Sequence, residues 1–321
     1  MPPRRRTGRR LFRTFLPILL LLVLAAAGAV GWIVYAVAHP PRRPYLVTPE
    51  KFSQLSDRGL KVTDETWPNR DQTQARGWLL RGAEGAPAVI LLHRYGADRS
   101  WLLNLGVKLN ETTNYTVLWP DLRGHGLDPA IAWTSFGTRE AEDVDAALDY
   151  LRSLKTAQGR PLAGGSIGIY GVELGAYSAL EAAAHETSVR ALVLDSVPAA
   201  PDDLLRAAVR DRLSMDNAPL YQLTRWGARL YFLGHYKNAP SCAAAQSLND
   251  RRLLLLTGEE AGYLRDSTIA LAQCFPQQSS VELKSDLPLT GFNLPSATGE
   301  QGEAYDRRVI DFFDRNLRAV P

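Results

Sequence analysis

Histidine is scarce in this chain, and where it is missing matters more than how little there is. The 321 residues hold five, at His39, His93, His125, His185 and His235. The last 86 positions therefore offer no imidazole for acid–base work. Cysteine is scarcer still. Cys242 and Cys274 permit at most one disulfide, and two buried free thiols fit the sequence equally well, because spacing does not give their distance. There is no internal repeat, and no low-complexity stretch beyond the N-terminus. A broad basic surface is also lacking. The formal charge is +3, and six arginines (Arg4, Arg5, Arg6, Arg9, Arg10 and Arg13) precede Phe15. Taking those six from 37 Lys and Arg leaves 31 against 34 Asp and Glu, which excludes a general nucleic-acid footprint.

Charge is absent altogether from Phe15 to Ala38, which reads FLPILLLLVLAAAGAVGWIVYAVA. About 20 apolar residues suffice to cross a bilayer as a helix. The arginines before the run should stay cytoplasmic and place the rest of the chain on the far side. Trp32 and Tyr35 sit near the outer end, as interfacial aromatics do. The competing reading is a cleaved signal peptide, because Ala36-Val37-Ala38 resembles an A-x-A site; the length of the run favours a retained anchor. The proline-rich His39–Pro49 stretch reads as an extended spacer. The expected organisation is a basic cytoplasmic tail at 1–14, a transmembrane helix at 15–38, a spacer at 39–58 and one domain at 59–321. Cys242 and Cys274 would then lie in an oxidising compartment.

Within the domain, short apolar or β-rich runs alternate with amphipathic ones. Strands are expected at Leu60–Trp67, Gln74–Leu80, Ala88–His93, Tyr115–Trp119, Ser166–Tyr170, Ala191–Asp195, Leu253–Thr257 and Val281–Lys284. Helices are expected at Trp101–Leu109, at Glu140–Leu154 (apolar face Val144, Ala147, Leu148, Leu151), at Leu174–His185 and at Ala304–Leu317 (Tyr305, Val309, Phe312, Phe313). A hairpin followed by β-α alternation implies an α/β class with a mostly parallel eight-stranded sheet and helices on both faces. The amphipathic helical stretch at about 200–248 interrupts the alternation and reads as a cap over the C-terminal sheet edge, where such folds bind ligands.

Three motifs follow three strands in order: Leu91-Leu92-His93-Arg94-Tyr95-Gly96, Pro120-Asp121-Leu122-Arg123-Gly124-His125-Gly126 and Gly171-Val172-Glu173-Leu174-Gly175. Together they resemble the α/β-hydrolase superfamily, especially its bacterial esterase and serine-peptidase-like branch, over roughly Val62 to Leu317. The resemblance implies a nucleophile on a sharp G-x-S-x-G turn. It also implies an oxyanion hole built from the following amide, here that of Leu174, and one from the loop after the third strand. Three triad positions depart from that pattern. Glu173 stands where serine is expected. Gly258-Glu259-Glu260-Ala261 puts alanine at the acid position, with Glu260 one residue away as a displaced candidate. No histidine follows the eighth strand, where LPLTGFNLPSATGEQGEA runs from Leu287 to Ala304. Ester or peptide hydrolysis needs a base within hydrogen-bond reach of nucleophile or water, and none is in place.

Glu173 has a second use. At a helix N-terminus its carboxylate is favoured as an anion and could fold into the oxyanion hole, with Arg94 as partner in an ion pair or at least with the two side chains close together. His93, Arg94, His125, Glu173 and Leu174 are therefore the residues expected to line the cleft. His93, His125, Asp121 and Glu173 would also suit zinc, but no metal-ligand spacing appears, and loop bonding accounts for them better. No metal or cofactor is expected. The cap aromatics Tyr221, Trp226, Tyr231, Phe232 and Tyr236 fit core packing better than a pocket lining. Two functions fit: a membrane-anchored, non-catalytic binding, scaffold or regulatory module whose cleft holds a small molecule or peptide, or a working hydrolase with a rearranged catalytic set.

Overall fold

The apolar runs form strands and the amphipathic runs form helices largely where the patterning puts them. The computed structural model describes residues 6–55, 59, 61–215, 217–293 and 299–318. Part of the expected basic tail (1–5), the end of the spacer (56–58) and position 60 of the first expected strand lie outside the described residues. The strands are β1 (Val62–Pro68), β2 (Gln74–Leu80), β3 (Ala88–Leu92), β4 (Thr116–Pro120), β5 (Ile167–Val172), β6 (Val189–Asp195), β7 (Arg252–Gly258) and β8 (Val281–Leu287). They make one sheet in the order β1-β2-β4-β3-β5-β6-β7-β8. Only β2 runs against the rest. β3, β4 and β5 are buried along their whole length, whereas the edge strand β8 alternates between half-buried and exposed. This is the burial that helices on both faces impose on central parallel strands.

The helices are α1 (Arg6–Ala38), α2 (Pro49–Leu55), α3 (Leu103–Thr113), α4 (Thr138–Ser153), α5 (Leu174–Ala183), α6 (Pro201–Leu213), α7 (Ala218–Tyr231), α8 (Ser241–Ala245), α9 (Tyr263–Ala272) and α10 (Glu300–Leu317). Apolar residues of α4, α5 and α9 bury against one sheet face, and those of α3 and α10 against the other. The expected stripes of α4 and α10 are buried throughout. α6, α7 and α8 form the cap. Cys242 on α8 is bridged to Cys274 just after α9, which ties the cap to the sheet layer. Closing that 32-residue interval contributes about 3–4 kcal/mol by loop entropy. α9 had no expectation from the sequence.

The segment after α1 departs from the expected extended spacer. It is a strap docked on the domain. Tyr45, Val47 and Phe52 pack against the α3–α10 face, the Tyr45 hydroxyl donates to Asp121 at 2.8 Å, and the Leu46 amide donates to the Ser100 hydroxyl at 3.0 Å. Arg99 anchors it: its guanidinium lies over both the Tyr45 and Trp78 rings and pairs with Asp64 and Asp121. Lifting the strap away would leave this buried cation without the Tyr45 ring beside it, which is costly while Arg99 stays buried, so the contact holds the strap in place.

Within α1, Phe15–Ala38 is long and apolar enough to cross a membrane. Phe15 to Ala29 is exposed, but Ile33, Val34, Val37 and Ala38 are buried in the domain, against α6 and α7.

Candidate functional site

The ends of β3, β4, β5 and β6 converge on one edge of the sheet, and each delivers a polar residue there: His93, Asp121, Glu173 and Asp195. At the end of β5 the chain turns directly into α5 through Glu173, whose φ of 50° and ψ of −105° lie outside the ordinary regions for an L-residue. The turn leaves no room on either side. A Cβ on Gly171 would stand 2.4 Å from the Gly175 carbonyl oxygen, and one on Gly175 would stand 2.5 Å from that of Leu92. The spacing of these two glycines thus specifies the elbow, whatever residue sits at its apex.

Glu173 is only 5% exposed. Its Oε2 accepts the backbone N–H of Tyr95, on the loop after β3, at 3.1 Å. The side chain does not cap its own helix. Burial pushes its carboxyl up to about 7, against the opposing pull of the Arg94 charge and the Tyr95 amide. Here the structure corrects the sequence expectation: desolvation outweighs the helix N-terminus, so the group is near its midpoint at neutral pH instead of a settled anion.

The expected Arg94–Glu173 ion pair does not close. No N–O contact within 4.0 Å joins the two side chains. The Arg94 guanidinium instead lies over Trp101 at 4.7 Å and Phe292 at 5.2 Å, and Nη1 donates to the Tyr95 carbonyl at 3.3 Å. Its charge still reaches Glu173 through the low-dielectric interior.

Both histidines at this edge are consumed by backbone. His93 bonds through Nδ1 to the Arg94 carbonyl, and its Nε2 accepts the Leu122 amide at 3.1 Å. His125 bonds through Nδ1 to the Arg123 carbonyl, and its Nε2 accepts the Gly96 amide at 3.1 Å. Each ring is the neutral tautomer with Nδ1–H donating, and burial lowers both pKa values to about 4. The pair stitches the loops after β3 and β4 together. Among the described residues no serine, threonine or cysteine hydroxyl or thiol bonds to either ring. The remaining histidines are engaged elsewhere: His39 with the Tyr35 carbonyl, His185 with Asp145 and His235 with Arg139.

Asp195 escaped notice in the sequence. It is fully buried at the end of β6, and its carboxylate accepts the Gly291 amide at 2.8 Å, the Tyr305 hydroxyl at 2.5 Å and the Ser196 hydroxyl at 2.6 Å. Burial raises its pKa to about 6, against those three donors. A carboxylate closing the apolar run Ala191–Leu194 was the available signal. It pins the loop after β8 to the strand beside Glu173. Tyr95, whose amide meets Glu173, carries no signal of that role in the motif.

Glu260 is exposed on the turn after β7, where the Asn293 side-chain amide donates to it. It has no histidine partner, so the displaced-acid expectation gains no base. The alternative zinc reading gains no support: among the described residues no group of three His, Cys, Asp or Glu could hold a metal. The reason is that Asp121 faces Tyr45 and Arg99, while the imidazole nitrogens face amides and carbonyls. Of the cap aromatics, Phe232 and Tyr236 pack as expected with Phe136, whereas Trp226 and Tyr231 are exposed. A cavity of about 250 Å³ lies over Arg94, with Arg43, Asp211 and Arg212 among its lining.

No family model and no curated protein matches this chain. Solved structures do match. The Pyrococcus furiosus esterase Pf2001 aligns with a TM-score of 0.62 at 20% identity, over 87% of this chain and 100% of that one. The alpha/beta hydrolase GrgF from Penicillium sp. sh18 aligns at 0.60 and 17% identity, over 80% and 99% of the two chains. The Pyrococcus horikoshii acylaminoacyl peptidase aligns at 0.57 and 13% identity, over 87% of this chain and 45% of its own. At these identities the likeness speaks for the fold alone.

Proposed function

We propose that this chain, which has the α/β-hydrolase fold, is a membrane-anchored, non-hydrolytic binding or regulatory module whose nucleophile site is closed by Glu173. The observation that carries this reading is the Glu173–Tyr95 hydrogen bond. An oxyanion donor is useful only if it is free to meet the charge that develops on a substrate. Here the Tyr95 amide is already occupied by a carboxyl group of the same chain. The two nearby imidazoles, each bonded at both nitrogens, have no lone pair left to take a proton from water or from a nucleophile. The cavity over Arg94, where Arg43, Arg94 and Arg212 face the single carboxylate of Asp211, is where a small anionic ligand or an acidic peptide side chain would be held. α1 is the anchor, with the arginines on the cytoplasmic side and the disulfide-bearing domain on the oxidising side.

The apex of the elbow favours the second reading, an active hydrolase. Glu173 keeps the strained elbow conformation, and its pKa of about 7 suits acid–base work. The solved neighbours, named as esterases and a peptidase, fit it too. The two readings separate in one experiment on the full-length protein in detergent, with short- and long-chain acyl esters and N-acyl peptides as substrates. Turnover by the native chain that disappears in Glu173→Ala overturns the non-hydrolytic reading. The absence of turnover from both chains supports it.

A further inference from the structure

The cap carries an unusual surface. Outside α1, the described residues include eight exposed large hydrophobics, and five of them lie on α7 or within two residues of its end. Leu223, Trp226, Leu230 and Leu233 are 53, 68, 74 and 80% exposed, and Tyr231 joins them. Large apolar side chains gathered in this way on one helix mark an interaction site; scattered singly they would need no explanation. The position of α7 says what covers them. α7 crosses α1 at Gly227, where a Cβ would meet Val30 Cγ1 at 2.8 Å and Val34 Cγ2 at 3.0 Å. Glycine allows the backbones to approach as helices do in a membrane. Val30 and Val34 belong to the apolar span that starts at Phe15.

Depth follows from helix geometry. At 1.5 Å per residue, Val30 lies about 22 Å and Val34 about 28 Å along the axis from Phe15. The hydrocarbon core is about 30 Å thick. A span whose inner edge is set by the arginines before Phe15 therefore brings the crossing point to the outer boundary of that core. The groove between the helices, about 590 Å³, is almost wholly apolar, lined by Val23, Ala27 and Val30 on one side and Leu223, Leu230 and Tyr231 on the other. It continues the lipid-facing surface of α1 onto the cap. Trp226 and Tyr231, with Trp32 and Tyr35 of α1, supply the aromatic side chains that settle at the headgroup level, and the Arg229 guanidinium stands 5.8 Å from the Trp226 ring.

We infer that α7 is a second membrane contact: it lies in the outer boundary of the leaflet that faces the domain, and acyl chains of that leaflet fill the α1–α7 groove. The inference rests on α1 being a membrane span. It makes the cap a lipid-bound element, and fixes the strand-end cleft at a set height above the bilayer.

The test uses the full chain in phosphatidylcholine vesicles containing brominated lipid. An environment-sensitive fluorophore is attached at Leu230→Cys, at Leu20→Cys in α1 or at Asp286→Cys on the far edge strand, labelled without reductant so that Cys242–Cys274 stays closed. The expected result is strong quenching at Leu20 and Leu230 to a similar extent, and none at Asp286. Quenching at Leu20 without quenching at Leu230 overturns the inference while leaving the anchor intact. If that unquenched chain also runs as a dimer, the groove belongs to a second copy. No quenching at Leu20 removes the anchor reading and the inference with it. Leu230→Ser labelled at Leu223→Cys gives a repeat with a smaller side chain beside the probe; it must be quenched as well.

Discussion

Around Glu173 the polar groups at the strand ends are spent on one another: its carboxyl on the Tyr95 amide, His93 and His125 on the loops after β3 and β4, Asp195 on Gly291 and Tyr305. Along α1 and α7 the situation is reversed, and large apolar side chains stand exposed. A hydrolytic site keeps donors and bases available for the substrate, because only interactions made in the transition state accelerate the reaction. By that criterion the bonding at the strand ends fits the proposed non-hydrolytic reading, while the exposed apolar surface gathers at the seam between α1 and the cap. The elbow shows what the fold itself requires. Its two glycines and strained backbone serve the packing of β5 on α5, which is needed whether the apex residue reacts or not.

The comparison can be broken first at the elbow. Gly175→Ala should cost about 3 kcal/mol or more, since the new Cβ meets the Leu92 backbone and not the end of a flexible side chain. Thermal unfolding of the full chain in detergent measures it. An unchanged midpoint would mean that the elbow is not a structural requirement.

Glu173→Gln comes next, with a sign that depends on pH. The folded pKa of about 7 lies above the ordinary value of 4.5, so the folded state holds this proton more tightly than the unfolded state does. That contribution is complete below the unfolded value and is lost as pH rises through the folded one. The shift corresponds to about 3 kcal/mol. Glutamine avoids the ionisation, so the variant should be the more stable protein above neutral pH, with the gap closing toward about pH 5. Denaturant midpoints across that range check the trend. A variant less stable than the native chain above neutral pH would show that Glu173 serves as a needed anion.

The seam should respond more gently. In Gly227→Leu the added side chain meets Val30 and Val34 methyl groups, which can yield, so a loss of about 1–3 kcal/mol is expected, seen as a lower unfolding midpoint. No change would mean that α7 does not pack on α1 as described.

Much of the fold was readable in the chain because the central strands are buried on both faces and their apolar runs are bounded by turns. The sheet, the inward stripes of α4 and α10, and the elbow glycines all follow from local pattern. α9 was harder: its sequence YLRDSTIALA has a modest apolar face, and its burial against β7 and β8 comes from the tertiary fold. The docking of the strap was not legible, because its decisive contact, Tyr45 on Arg99 and Asp121, joins residues far apart in sequence. At the site, the positions of His93, His125, Glu173 and Arg94 could be placed by motif. Their bonding could not, because it depends on which backbone amides the loops present. Arg94 looked like the partner of Glu173, yet two rings, Trp101 and Phe292, hold it off. The raised pKa of Glu173 likewise comes from a degree of burial that the motif does not contain.

The proposed closure of the elbow site by Glu173 can be tested at the amide that its carboxyl group meets. The native chain and Glu173→Gln, with ¹⁵N label on tyrosine, are titrated while the Tyr95 amide resonance is followed. The account predicts a shift centred near pH 7 in the native protein, as the carboxyl group bonded to this N–H ionises, and a flat response in the glutamine variant. A Tyr95 resonance that ignores pH in the native chain, or that titrates identically in both, would contradict it.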